Sequence, residues 1–273
     1  MMGRWGWRIA AVAALVAVLG VGGPLVRAAG PAGKLVVIGG GGVPDAVLKR
    51  TLEMAGGPVA KVVVFPQASE LAETGDVNVK MWKDAGATDV RWLPVTDLPA
   101  ARKAVEVATL VWFPGGDQAK LTAALLGTGL PELIQKRYEA GAIVAGTSAG
   151  AAVMSSIMLT GDADLQSVTV GATKTIPGFG FWPGVIVDQH FLKRQREARL
   201  ISLVLDHPDL IAVGIDEKTA VIVSGRRFEV VGQSTVLVFD ARKTAVEKRA
   251  VGQLSAARGI TMHVLTAWMT FEY

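Results

Sequence analysis

The chain has 273 residues, 51% of them apolar, no cysteine, and a formal charge of +4. Such a chain can bury one substantial core, an α/β domain of this length need not divide in two, and without cysteine there is neither a disulfide nor a lipoprotein anchor. The charge is local: Arg4, Arg8 and Arg27 lie in the first 28 residues with no acid among them, so residues 29–273 carry 25 basic against 24 acidic side chains. A near-neutral balance, with no basic run interleaved with aromatics, removes the support for a general nucleic-acid partner.

In chain order, the first predicted element is a secretory signal over residues 1–28. Arg4 and Arg8 precede an apolar stretch from Ile9 to Gly22, followed by Pro24 and a Val26-Arg27-Ala28 sequence suited to a signal peptidase. Cleavage after Ala28 makes residues 29–273 a single secreted or periplasmic α/β hydrolytic domain. A membrane becomes a partner only if this signal is uncleaved, and about 14 apolar residues are short for a span.

After the signal, apolar runs of strand length alternate with helical stretches. The strands are Lys34 to Ile38, Lys61 to Phe65, Val90 to Leu93, Thr109 to Phe113, Ala142 to Ala145, Gly184 to Val187 and Ile211 to Gly214. Near-continuous Val and Ile mean strands covered on both faces. Helices are predicted over Pro44 to Ala55, Asn78 to Ala85, Gln118 to Leu126 and Leu130 to Ala140, so the fold class is α/β, a doubly wound and mostly parallel sheet. Beyond Thr219 the pattern changes to Val-rich alternation at Ala220 to Val223, Phe228 to Val231 and Thr235 to Phe239, the signature of C-terminal β-hairpins at the sheet edge. Alternating terminal strands also offer an edge for pairing with a second copy, which leaves a homodimer open.

Four stretches carry candidate chemistry. Gly39 to Gly42 follows the first strand but lacks both the dinucleotide-binding spacing and the P-loop Lys-Ser/Thr, so it reads as a turn at the ligand-binding edge of the sheet. Phe113-Pro114-Gly115-Gly116-Asp117-Gln118 leaves the fourth strand the same way; it is either a turn and helix cap or half of an oxyanion hole, the natural amide pair being Gly116 and Ala149. Gly146-Thr147-Ser148-Ala149-Gly150 is a GxSxG pattern at a strand-to-helix turn, where small residues let the backbone close around an exposed serine. Of the three histidines, His207 and His263 read as structural, whereas His190 in Asp188-Gln189-His190-Phe191 ends a strand, where a base belongs.

A third group would fix the imidazole tautomer and stabilise the imidazolium. Glu217 in Gly214-Ile215-Asp216-Glu217-Lys218-Thr219 has that position, with Asp216 as its competitor. The resulting order, Ser, His, acid, differs from the α/β-hydrolase order. Between the two lies Leu192-Lys193-Arg194-Gln195-Arg196-Glu197-Ala198-Arg199, read as the start of a helix with Arg196 and Arg199 on one face and Arg194 turned away. Such a row is either a solvated face or a device for bidentate capture of carboxylates. The chemistry needs no cofactor, and sparse histidines without paired ligand spacing argue against a metal.

FPGGDQ, AGTSAGA, PGVIVDQHF with its R-x-R-x-x-R, and GIDEKTA together resemble cyanophycinase, in the serine peptidase family that also contains aspartyl dipeptidase. The resemblance runs from about Lys34 to the end and implies a fold like that of class I glutamine amidotransferases. It implies Ser148 as nucleophile, His190 as base and Glu217 as acid, with Gln118, Asp188, Gln189, Arg194, Arg196 and Arg199 as substrate-binding residues. The implied substrate is cyanophycin, polyaspartate bearing arginine on its β-carboxyls, cut by an exopeptidase to β-Asp-Arg dipeptides. Arginines suit the aspartyl carboxylates, and Asp188 or another acid suits the substrate guanidinium. Isoaspartyl or aspartyl dipeptides and other acidic peptides are the alternative substrates, and a non-catalytic binding protein is the alternative class. Lys193, Glu197 and a bulky Trp268-Met269-Thr270 depart from the family pattern and bear on fine specificity.

Overall fold

A computed structural model describes residues 31–161 and 164–273, so the expected signal over 1–28 lies outside the described residues. The chain begins as an alternation: β1 (Lys34–Ile38), α1 (Asp45–Met54), β2 (Lys61–Val64), α2 (Thr74–Asp84), β3 (Asp89–Trp92), α3 (Leu98–Val107), β4 (Leu110–Phe113), α4 (Gln118–Leu125), α5 (Leu130–Glu139), β5 (Ile143–Thr147) and the short α6 (Ala149–Ala152). A small hairpin, β6 (Ile157–Leu159) and β7 (Thr175–Pro177), precedes β8 (Val185–Gln189), α7 (Glu197–Asp206) and β9 (Ile211–Ile215). The rest is β-structure: β10 (Thr219–Ser224), β11 (Arg227–Gly232), β12 (Val236–Asp240), β13 (Ala245–Val246), β14 (Ala257–Arg258), β15 (Thr261–Leu265) and β16 (Thr270–Glu272).

The large sheet runs β16-β11-β10-β1-β5-β4-β2-β3, parallel from β1 to β3 and antiparallel across β10, β11 and β16. The mostly parallel α/β fold expected from the Val and Ile runs is therefore present, with the β10–β11 hairpin and β16 along one edge, whereas Val236–Asp240, expected as a further edge hairpin, pairs on both sides within another sheet. The finer partition differs from a single sheet. β8 and β9 pair in parallel with each other and continue through β12 and β15 as a second, four-stranded sheet.

Period-two alternation explains the layering. Val36 and Ile38 face a core shared with α1 and α2, while Leu35 and Val37 face the opposite side. On that opposite side they meet α3, α5, α6 and the inner residues of the second sheet, Val185, Val187, Ile211 and Val213. The outer residues Ile186 and Ala212 pack under Leu200, Leu203 and Val204 of α7. Strands covered on both faces are what the unbroken apolar runs demanded. Helix α3, absent from the sequence prediction, is capped by Asp97, whose side chain accepts from the Ala100 amide, and it buries Ala101, Ala104 and Val105.

Candidate active site

Ser148 occupies the turn between β5 and α6 with φ 54 and ψ −113, a conformation that L-residues rarely adopt. Both glycines of the GxSxG pattern are needed there: a side-chain carbon on Gly146 would meet the Gly150 carbonyl, and one on Gly150 would meet the Phe113 carbonyl. The Ser148 amide donates to the Ile38 carbonyl at 3.0 Å, which ties the elbow to the end of β1.

Ser148 Oγ lies 2.9 Å from His190 Nε2, and His190 Nδ1 lies 2.6 Å from Glu217 Oε1. The three side chains therefore form one continuous hydrogen-bonded line. His190, with φ 48, follows β8 directly, and Glu217 sits in the turn between β9 and β10. Of the two adjacent acids it is Glu217 that reaches the imidazole. Asp216 points elsewhere, accepting from the Lys193 amide at 2.9 Å and from Ser234 Oγ at 2.8 Å. Burial holds the His190 pKa below its ordinary 6.5; the Glu217 hydrogen bond and charge raise it, while Arg194 and Arg196 lower it.

The glycine turn after β1, read from sequence only as a turn, proves to be a clamp on this line. A side-chain carbon on Gly40 would lie 2.3 Å from Cε1 of the His190 imidazole, and one on Gly41 would lie 2.6 Å from Glu217 Cβ. The Gly39 carbonyl accepts from the His190 amide at 2.7 Å, and the Gly40 carbonyl accepts from the Lys218 amide at 2.8 Å. Glycine spacing gave no hint of the partner, because Gly40 meets a ring that lies 150 positions further along the chain.

The FPGGDQ loop lies beside the serine: a side-chain carbon on Gly115 would be 3.3 Å from Ser148 Cβ. Gly116, with φ 139, backs onto the Ala68 carbonyl, which also accepts from the Asp117 amide at 2.7 Å. Ala149 opens α6 immediately after the serine. Gln118 is buried, its Nε2 donating to the Leu159 carbonyl at 2.8 Å.

The three arginines part company. Arg194 is exposed, whereas Arg196 and Arg199 are buried. Arg196 caps α7 and Arg199 lies within it, so the helix starts later than expected. Arg199, only 2% exposed, grips both oxygens of Asp188, with Nε to Oδ2 at 2.7 Å and Nη2 to Oδ1. Arg196 Nη1 donates to the Gln189 carbonyl at 2.6 Å and lies 3.6 Å from Asp188; burial pushes its pKa down to about 10. Asp188 therefore faces arginines of its own chain. Gln189 Oε1 and Thr147 Oγ1 are buried without a hydrogen-bond partner among the described residues.

Such an arrangement suits acyl transfer: a strained serine, an imidazole in contact with it, a carboxylate behind the imidazole, and a glycine-rich loop beside the serine. The family profile described as peptidase family S51 matches residues 35–231. The chain is 36% identical over 227 residues to the cyanophycinase of Geminocystis herdmanii, covering 80% of this chain and 83% of that one. It is 33% identical over 251 residues to the cyanophycinase of Synechococcus elongatus, covering 85% and 77%. Among solved structures, a peptidase from an acI-B1 Actinobacterium superposes with a TM-score of 0.64 at 25% identity, over 88% of this chain and 97% of that one. With a family match across most of its length and relatives above 30% identity, this chain belongs to peptidase family S51 and is a serine-type peptidase.

Proposed function

We propose that this protein is an exported exopeptidase that hydrolyses cyanophycin to β-Asp-Arg dipeptides through a Ser148-His190-Glu217 triad. The observation that carries the reading is the line from Ser148 Oγ through His190 to Glu217, at 2.9 and 2.6 Å, in a chain whose relatives are cyanophycinases. The amino-terminal pattern supports export, which makes the polymer an external substrate.

The chemistry follows from the geometry. Ser148 Oγ attacks the scissile carbonyl carbon as its proton passes to His190 Nε2, and Glu217 holds the Nδ1 proton and steadies the imidazolium. The amides of Gly116 and Ala149 stabilise the oxyanion. Collapse breaks the carbon–nitrogen bond, and His190 returns the proton to the leaving amine. Water, deprotonated by His190, then attacks the ester and releases the acid, and Ser148 regains its proton. Exposed Arg194 is the arginine with a guanidinium free to meet a substrate carboxylate, while Asp188, Arg196 and Arg199 brace the wall behind His190.

The test is to incubate residues 29–273 with insoluble cyanophycin and to assay soluble β-Asp-Arg. Wild-type chain should release it, and Ser148→Ala should lower kcat by about 10⁴-fold or more without unfolding. Full activity in that variant ends the triad assignment. Cleavage of other β-aspartyl peptides but not of the polymer would move the substrate and keep the mechanism.

A further inference from the structure

Next to the turn that carries Glu217 lies an open cavity of about 440 Å³, bordered by Gly41 and by the exposed residues Asp45, Lys218 and Gln233. That volume is in the range of small-ligand sites. Gly41 is the shared wall, packed against the Glu217 side chain. Among the described residues no hydrogen bond or ion pair engages the side chains of Asp45, Lys218 or Gln233, so a carboxylate, an ammonium and an amide all face the cavity uncommitted.

Lys218 is also held where lysine is disfavoured. Its φ is 54, fixed by its amide donating to the Gly40 carbonyl. A left-handed residue of this type costs on the order of 1 kcal/mol, and such positions concentrate at functional sites. Lys218 follows Glu217 directly in the chain without belonging to the catalytic line, and positive φ is also found at Ser148, His190, Gln195 and Trp268.

An uncommitted cation and anion at one cavity fit a ligand that carries both charges. Each cyanophycin repeat does, since arginine joined through its α-amine keeps a guanidinium and a free carboxylate. We propose that this cavity is a subsite for a polymer repeat beyond the pair being cut, Lys218 taking its carboxylate and Asp45 its guanidinium. The assignment rests on the cyanophycin reading above. Along the Ser148-His190-Glu217 line the separation is roughly 10 Å, and a chain passing over the outside of that line needs at least about three extended residues to span it. Catalysis of a short substrate does not call on it, whereas a long one gains a second point of attachment.

The experiment measures KM and kcat for β-Asp-Arg oligomers of increasing length, from two repeats to six, with wild type, Lys218→Gln, Asp45→Asn and the double variant. Wild-type KM should fall with length and level off at about four repeats. The double variant should lose that fall, its KM for the longest oligomer rising roughly ten-fold relative to wild type. Each single variant should show part of the loss, at an unchanged melting temperature. A wild-type KM independent of length, or variants that keep the wild-type length dependence, would overturn the subsite. A wild-type chain that cuts none of the oligomers would overturn the cyanophycin reading and the subsite with it.

Discussion

Gly40→Ala is the sharpest perturbation of the catalytic line that leaves all three of its members intact. A methyl group at Gly40 would stand 2.9 Å from His190 Nδ1 and closer still to Cε1 and Nε2. Ordinary carbon contacts begin near 3.5 Å, so the imidazole must retreat by about 1 Å, or the loop must open by as much. A displacement of that size at a reacting group costs about 100-fold in rate. The φ of 100 at Gly40 adds a backbone penalty of about 1–2 kcal/mol for any L-side chain, which lowers the melting temperature by roughly 2–8 °C. Two measurements separate these effects: kcat and KM on β-Asp-Arg oligomers, and the rate at which a fluorophosphonate labels Ser148. Expected are a kcat and a labelling rate both reduced about 100-fold, with KM within a few-fold of wild type. Gly184→Ala is the control, because it imposes φ 76 on alanine with nothing within 4 Å of the new methyl. It should lose stability and keep its labelling rate. Wild-type labelling in Gly40→Ala would refute the idea that this turn sets the position of the base.

Glu217→Gln preserves the shape of the triad but no longer stabilises the imidazolium, so kcat should fall by about 10³–10⁴, whereas Asp216→Asn, away from the ring, should stay within about ten-fold of wild type; equal losses in the two variants would remove the distinction between the acids. Because burial, Arg194 and Arg196 hold the His190 pKa below 6.5, and neutral imidazole is the base, the acidic limb of kcat/KM should lie below that pH. Arg194→Gln removes a cation that opposes imidazole protonation, so the limb should move to higher pH, and a profile that stays in place or moves down contradicts the assignment. Asp188→Ala strands the buried Arg199 charge, a loss of about 3–5 kcal/mol that calorimetry should record as a drop of roughly 6–20 °C in melting temperature; an unchanged transition would mean that the pair contributes nothing to the fold.

Much of this molecule is legible in the order of its residues because its strands are buried on both faces and hence apolar throughout. Lys34 to Ile38 and Ile211 to Gly214 announce themselves in that way, and so does the break at Ser148. What composition cannot carry is which strand lies beside which. VIVDQ and IAVGI look like more of the same sheet, and only pairing with Val236–Asp240 and Thr261–Leu265, set by contacts far along the chain, assigns them to another. Leu98–Val107 escaped prediction as a helix because its buried face is largely alanine, a weak hydrophobic signal. The arginine row was ambiguous for a different reason. Whether Arg199 meets water, substrate or Asp188 depends on how α7 docks against β8, and that docking buries one pair and leaves Arg194 outside. The meaning of Gly40 was hidden likewise, since an open conformation is visible in a glycine but its neighbour is not.

The two sheets give the peptidase an unusual sensitivity. Ser148, the proposed nucleophile, hangs from the end of β5 in one sheet, His190 from the end of β8 in the other, and Glu217 from the turn through which the chain crosses between them. The end of β1 is the joint: Ile38, Gly39 and Gly40 accept hydrogen bonds from Ser148, His190 and Lys218 in turn. A slip of one layer past the other by a single ångström would leave every strand paired and every core filled, yet would part the serine from its base. Turnover in this enzyme is thus a gauge of alignment between layers, and gentle heating or denaturant should silence it well before circular dichroism registers any loss of structure.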